Sequence, residues 1–248
     1  HYFFLAVCFA LAKLALVGAP LCNFDPVGSR SINHDSVIAM LKILSRDQIV
    51  LMPTTNSAYG TTSNNAMCDE KSKLNPISVY AKDKVELEKK LMEFENSISF
   101  RLATVFGMSP RMRTDLLVND FTYRAVHDGF LLLFESHFKR NYIHIRDIAN
   151  VFSFALDNFS NMKSNIYNVG LSDANISKRE LAEKIKIFIP KLVIKEEEFF
   201  SDQDQRNYIV SNKKIENTGF IPKYSLDYGI KELIKGYKYL KKNNHSNF

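Results

Sequence analysis

The sequence predicts an α/β protein built on a parallel, doubly wound sheet. Three observations lead there. Residues 48–52 are a short apolar run ending at Pro53, the pattern of a buried strand. Asn75-Pro76 then opens a long helix, proline being tolerated in a first turn, and Val85, Leu87, Leu91 and Phe94 give it one apolar side. Residues 98–105 alternate back to strand and stop near Gly107. Strand, helix and strand in that order place the two strands parallel, with the helix crossing between them.

The remaining elements follow along the chain. Ile32, Val37, Met40, Leu41 and Leu44 recur at helical spacing within 28–44. Residues 54–73 are polar and rich in Asn, Ser and Thr, which reads as a loop. Beyond Gly107 the chain changes character. Residues 115–125 and 148–156 read as helices and 165–169 as a strand. Ser177-Lys178-Arg179-Glu180 is a capping box ahead of Leu181, Ile185 and Phe188. Leu226, Ile230, Leu233, Tyr237 and Leu240 are in register for a closing helix over 225–240. There is no internal repeat and no low-complexity segment.

A chain of 248 residues can bury a sizeable core. Its net charge of +6 is modest and its basic residues are not interleaved with aromatics, so nucleic acid is not an expected partner. The balance is compatible with an anionic small substrate. The run Lys238-Tyr239-Leu240-Lys241-Lys242 is either a solvated helix end or a phosphate-attracting surface. Cys8, Cys22 and Cys68 form no CxxC pair and no metal spacing, which suits a reducing cytoplasm and excludes an obvious zinc site. Residues 2–19 are nearly all apolar. They could pass for a signal peptide or a short membrane span, but Lys13 interrupts them and no basic stretch precedes them. The alternative is a buried strand, and no membrane association is expected on that reading. The chain begins with His1, which suggests a fragment.

The chemistry concentrates in two stretches. Tyr80 and Lys84 stand four residues apart, so on a helix they share a face. An ammonium one turn from a phenol is expected to lower the phenol's pKa toward neutrality. Such a tyrosine can take a proton from an alcohol, or return one. Upstream, Pro53-Thr54-Thr55-Asn56-Ser57-Ala58-Tyr59-Gly60 offers Thr55 at a strand end, where its hydroxyl can hold the same substrate oxygen.

TTNSAYG, CDE, LNPISVYAKDKVELE, RLATVFG, RNYIHIRDIA and YNVG occur in this order over nearly the whole chain. Together they resemble the extended short-chain dehydrogenase/reductases, and more narrowly the NAD-dependent epimerase/dehydratase group acting on nucleotide sugars. The resemblance implies a Rossmann-type sheet, here N-terminally truncated, with a smaller C-terminal substrate-binding lobe. The cofactor domain would span 1–107 plus about 140–160, with 108–248 mainly in the lobe. It implies that residues 14–20 are the buried fourth strand and its loop, and that a segment around 140–156 returns to the cofactor sheet. A nucleotide-sugar substrate is the implied partner, with a homodimer left open.

Residue by residue, the resemblance makes Thr55, Tyr80 and Lys84 catalytic. Lys84 would also bind the nicotinamide ribose of NAD, and Asn33 would lie beside the cofactor. Arg140 and Arg206 match positions that hold the nucleotide diphosphate, and arginine suits a bidentate grip on phosphate. Asn119 matches an asparagine that donates to the phosphate side; Thr104 departs from a frequent asparagine. Asn56 and Ser57, on the substrate side, stand where 4,6-dehydratases carry Asp-Glu. Water loss needs such proton-transfer groups, so their replacement favours an epimerase over a dehydratase. Asp69-Glu70 reads as solvated and structural, His144 as a satisfied structural histidine, and residues 108–113 as a loop near the sugar.

One family feature is missing. No GxxGxxG occurs, the loop that brings backbone N–H groups to a pyrophosphate. Without it this chain is expected to hold NAD weakly. Two hypotheses remain: an NAD-dependent nucleotide-sugar epimerase or close reductase relative, which explains Thr55, Tyr80, Lys84 and the arginines, and a cofactor-free binding relative, which explains the missing loop.

Overall fold

A computed structural model describes residues 19–62, 66–110, 112–197 and 206–239. The first described segment forms helices α1 (Ala19–Phe24), α2 (Pro26–Arg30) and α3 (Ser36–Ile43), with a π-helical turn at Ser31–Asp35 between the last two. Asp25 caps α2, its carboxylate accepting from the Gly28 N–H at 2.9 Å. Strand β1 (Val50–Thr55) follows, then the short β2 (Met67–Cys68), helix α4 (Val79–Leu91) and strand β3 (Ser97–Leu102). Strand β7 (Asn165–Val169) completes a parallel sheet in the order β1-β3-β7.

Alternation along the strands explains the layers. Val50 and Met52 meet Val37, Leu87 and Leu91 from α3 and α4 on one face. Leu51, Ile98 and Phe100 face the other way, against Val151 and Ala155 of α6 (Ile145–Asp157). Helices on both faces of a parallel sheet are the doubly wound arrangement.

The rest of the chain builds a second sheet from β4 (Thr104–Phe106), β6 (Lys139–His144) and β8 (Asn175–Ser177), in the order β4-β6-β8. Strands β5 (Phe130–Phe134) and β9 (Val193–Glu197) pair in parallel beside it. Helices α5 (Leu117–His127), α8 (Lys178–Phe188) and α10 (Leu226–Tyr237) bury Val118, Phe121, Leu181, Ile185, Ile230 and Leu233 in the shared core. Single-turn helices α7 (Phe159–Met162) and α9 (Lys213–Glu216) and the short strand β10 (Ile209–Val210) connect these parts.

Several elements differ from the sequence reading. Strand β1 runs through Pro53 to Thr55. Its ladder is to β3 alone among the described residues, and alternate N–H groups of a one-sided strand have no partner for proline to deprive. Helix α4 starts at Val79 rather than at Asn75-Pro76, because Ser78 is extended and its hydroxyl accepts from the Ala81 N–H at 3.2 Å. The expected strand over 98–105 breaks at Ala103, and β4 turns away to pair with β6. Within residues 140–156, β6 joins β4 and β8, while α6 returns to cover the β1-β3-β7 sheet through Val151 and Ala155; the strand that joins β3 is β7, further downstream. The buried strand expected at 14–20 lies mostly outside the described residues, and Ala19 and Pro20 begin a helix. The capping box forms as read: the Ser177 hydroxyl accepts from Glu180 N–H at 3.1 Å, and the Glu180 carboxylate from Ser177 N–H at 2.7 Å. Among the described residues no helix is long and apolar enough to cross a membrane.

Candidate functional site

Thr55 ends β1, where the parallel ladder opens into a tight turn at Asn56–Tyr59. Its Oγ1 accepts from the Ser57 N–H at 3.1 Å and donates to Ser57 Oγ at 3.0 Å. Gly60 closes the turn at φ +66°, and a Cβ there would meet the Asn75 carbonyl oxygen at 2.0 Å. This close approach, with the Asn75 N–H donating to Ala58 at 2.9 Å, ties the turn to the lead-in of α4, which carries Tyr80 and Lys84.

Segment 206–210 is clamped against the same turn. Asn207 bridges Thr61 in parallel and its carbonyl accepts from Thr62 N–H at 2.9 Å, while Asn175 holds both backbone groups of Val210. That places Arg206 so that its Nη1 donates to Ser57 Oγ. Two hydrogen bonds therefore link Thr55 through Ser57 to Arg206.

Tyr80 is half-buried and Lys84 buried, with the Lys84 Nζ 6.0 Å from the centre of the Tyr80 ring. The tuning differs from the expectation. Burial pushes the Tyr80 phenol up to about 12, the Cys22 sulfur adds to that push, and Arg113 and Arg206 oppose it. Burial likewise lowers the Lys84 ammonium to about 8. Lys84 stands over the ring, and the positive charges acting on the phenol are the two guanidiniums. Tyr80 at neutral pH is thus a proton-carrying phenol, and Lys84 a destabilised cation with no hydrogen bond among the described residues.

Asn33, in the π-helical turn, donates to Ser29 Oγ at 3.1 Å and reaches Cys22 Sγ at 3.9 Å. Since Cys22 acts electrostatically on both Tyr80 and Lys84, Asn33 belongs to the second layer of this cluster. Asn56 is wholly buried, and neither Nδ2 nor Oδ1 has a hydrogen-bond partner among the described residues.

The structure does not bring every candidate here. Asn119 spends its amide within the protein, accepting from Gly107 N–H at 3.1 Å and donating to the Arg113 carbonyl at 2.9 Å, so it braces the 107–113 loop in place of the expected phosphate contact. Arg140 is 2% exposed on β6, its guanidinium 5.8 Å from the Tyr208 ring centre and donating to the Lys139 carbonyl at 3.3 Å. Thr104 is half-buried in β4. His144 is wholly buried, capping α6 and pairing through Nε2 with Glu232 at 3.0 Å, a satisfied structural histidine. Glu70 accepts from the Asn168 N–H at 2.7 Å and so anchors its loop to β7.

Arg113 was reached only as the end of the 108–113 loop, and Cys22 is the site residue that sequence reasoning passed over. It also missed a buried ion pair behind the site, in which Arg101 Nη2 meets Glu88 Oε1 at 2.6 Å. Ser99 and Thr54 donate to Glu88 at 2.7 and 3.2 Å, and Arg101 Nη1 donates to the Tyr59 hydroxyl at 3.0 Å. The signal was in the sequence: Glu88 lies on the Lys84 face of α4, and Ser97, Ser99 and Arg101 alternate along β3.

Comparison with known proteins agrees with this geometry. A UDP-glucose 4-epimerase of Thermus thermophilus, solved with NAD, superposes with a TM-score of 0.77 at 20% identity, over 91% of this chain and 76% of its own. A dTDP-glucose 4,6-dehydratase of Bacillus anthracis, also with NAD, gives 0.75 at 18% identity over 86% and 70%. These likenesses concern the fold. An uncharacterized protein of Schizosaccharomyces pombe is 28% identical over 222 residues, 74% of this chain, which spans 60% of that protein's length. The model of the NAD dependent epimerase/dehydratase family matches residues 11–170, well over half of the sequence and including Thr55, Tyr80 and Lys84. The chain belongs to the NAD-dependent epimerase/dehydratase family.

Proposed function

We propose that the protein is an NAD-dependent nucleotide-sugar epimerase, which oxidises a sugar hydroxyl to a ketone and reduces it again. The observation that carries this reading is Lys84, a buried ammonium with a lowered pKa and no hydrogen bond, one helical turn from Tyr80. A structural lysine would be exposed or paired; a lysine waiting for ribose hydroxyls needs neither. The unpartnered Asn56 amide supports the same conclusion. Lys84 and Asn33 fit the nicotinamide-ribose end of the cofactor, whereas the described residues offer no glycine loop for the pyrophosphate. NAD, when bound, accepts and returns the hydride at the sugar carbon.

The chain's own residues handle oxygen and proton. Thr55 Oγ1, with Ser57 behind it, orients the reacting hydroxyl. Tyr80 takes its proton during oxidation and returns it during reduction. The neutral phenol favoured at pH 7 is the form set for the return, and the charges of Arg113 and Arg206 ease the opposite step. In this reading residues 1–107, plus about 140–160, serve the cofactor, and 108–248 mainly serve the sugar nucleotide, with Arg206 the substrate-side residue that reaches the Thr55–Ser57 turn. A close reductase is the nearest alternative. A dehydratase is less well supported, because Asn56 and Ser57 offer no carboxylate. A cofactor-free binding relative is the remaining alternative.

The test is proton NMR of nucleotide hexoses incubated with the protein and NAD. Appearance of the epimer supports the proposal. Binding without any change in sugar or cofactor would favour the non-catalytic relative, and a 4-keto-6-deoxy product the dehydratase.

A further inference from the structure

Glu88 follows Tyr80 and Lys84 on the same face of α4, one further turn along. It is 3% exposed and pairs with Arg101, on the middle strand of the β1-β3-β7 sheet. Arg101 Nε and Nη2 both donate to Glu88 Oε1, at 3.1 and 2.6 Å. The pair grips both sides of the turn that carries Thr55. On one side, Thr54 Oγ1 donates to Glu88 Oε2 at 3.2 Å. On the other, Arg101 Nη1 donates to the Tyr59 hydroxyl at 3.0 Å, and the guanidinium lies 5.4 Å from the Tyr59 ring centre. Tyr59 is wholly buried. Burial pushes its phenol up to about 12, so it stays a donor and reaches Asn168 Oδ1 of β7 at 2.8 Å. Thr54 and Tyr59 bracket Thr55 and Ser57 along the chain. One ion pair therefore ties the strand end that holds Thr55 to the helix that holds Tyr80.

We infer that Glu88 and Arg101 are positioning residues, which fix the separation of Thr55 on β1 from Tyr80 on α4 and so the geometry in which one substrate hydroxyl meets both. This rests on the reading of Thr55 and Tyr80 given above. Stability alone does not account for the pair. Replacing a buried ion pair by apolar side chains of similar volume is often neutral or stabilising. The polar groups around it would keep partners: Thr54 Oγ1 and Ser99 Oγ are 2.9 Å apart, and Tyr59 retains Asn168. What apolar packing lacks is direction. A guanidinium fork on a carboxylate sets distance and plane together. An acid/base group and the hydroxyl that works beside it need that control, since a displacement of about 1 Å can cost about a hundredfold in rate.

The test is steady-state kinetics with saturating NAD on UDP-glucose, UDP-galactose and dTDP-glucose, with urea unfolding of each variant in parallel. The double variant Glu88→Met with Arg101→Met should unfold at or above the wild-type urea midpoint, yet lose roughly tenfold to a hundredfold in kcat with KM little changed. The pair is neutral overall, so the pH–rate limb set by Tyr80 should stay where it is. Arg101→Lys keeps the charge without the fork and should also lower kcat. Tyr59→Phe removes only the hydroxyl that links Arg101 to the turn. It should lower kcat several-fold, and it carries the test if the double variant does not fold. Wild-type kcat in the folded double variant, or in Tyr59→Phe where the double variant does not fold, would overturn the inference and leave the pair a purely structural one. So would a raised KM at unchanged kcat, or a displaced pH limb, which would make the pair's role one of binding or of charge. A Tyr80→Phe protein that keeps the wild-type kcat, or a folded wild type that turns over none of these sugars, would instead sink the function proposed above, and this inference with it.

Discussion

Replacing Lys84 by methionine should make the protein more stable and less active. Lys84 is 7% exposed, and burial takes its ammonium from an ordinary 10.5 to about 8. At about 1.4 kcal/mol per tenfold change in proton affinity, holding that charge in the folded state costs about 3 kcal/mol at neutral pH. Methionine fills a similar volume without the charge. It forfeits the contact with the Tyr80 ring, 6.0 Å away and worth about 1 kcal/mol. The net expectation is a gain of about 2 kcal/mol at pH 7. The sign of the pH dependence follows from linkage. Between about pH 8 and 10.5 the unfolded chain holds the proton and the folded chain has lost it, so wild-type stability rises with pH across that window. The variant's advantage should therefore be full below pH 8 and gone near pH 10.5. Urea unfolding of both proteins at a series of pH values measures this directly. A variant less stable than the wild type at pH 7, or an advantage that does not change with pH, would refute the reasoning. Such a gain on removing a functional group is the expected signature of a site held at the expense of stability.

Other expectations follow from the same structure. Glu88→Ala leaves Arg101 buried without its carboxylate and should destabilise by about 3–5 kcal/mol, read from the urea midpoint; a loss under 1 kcal/mol would mean that the pair is dispensable. Arg206→Gln removes a positive charge acting on Tyr80 and should move the limb of the pH–rate profile set by that phenol to higher pH; an unmoved limb would separate the two residues. With Asn56 and Ser57 in place of an acid pair, no 4-keto-6-deoxy sugar should accumulate by proton NMR, and its accumulation would return the dehydratase to first place.

Much of this was legible in the sequence because it is local. Helical spacing in α4 gave Tyr80 and Lys84 one face, and Ser177 with Glu180 announced the start of α8. The order of strand and helix gave the parallel sheet. What the sequence concealed depends on packing between distant segments. The Arg206–Ser57 contact joins residues 149 positions apart, and the effect of Cys22 on Tyr80 and Lys84 requires α1 to lie against α4. The direction of the Tyr80 shift turned on burial outweighing a neighbouring cation, a balance that spacing does not contain. Asn119 had the right residue type, yet its amide is consumed by the loop it supports.

The central claim is that Tyr80 moves the proton while a sugar carbon and a nicotinamide exchange hydride. The most direct test mixes enzyme, NAD and nucleotide sugar in a single turnover and follows the absorbance of reduced nicotinamide, with wild type beside Tyr80→Phe. The account predicts a transient signal in the wild type and a rate lowered by about two to four decades in the variant, with nucleotide-sugar binding retained because Arg206 and Ser57 are untouched. A Tyr80→Phe protein that forms reduced nicotinamide at the wild-type rate would contradict it.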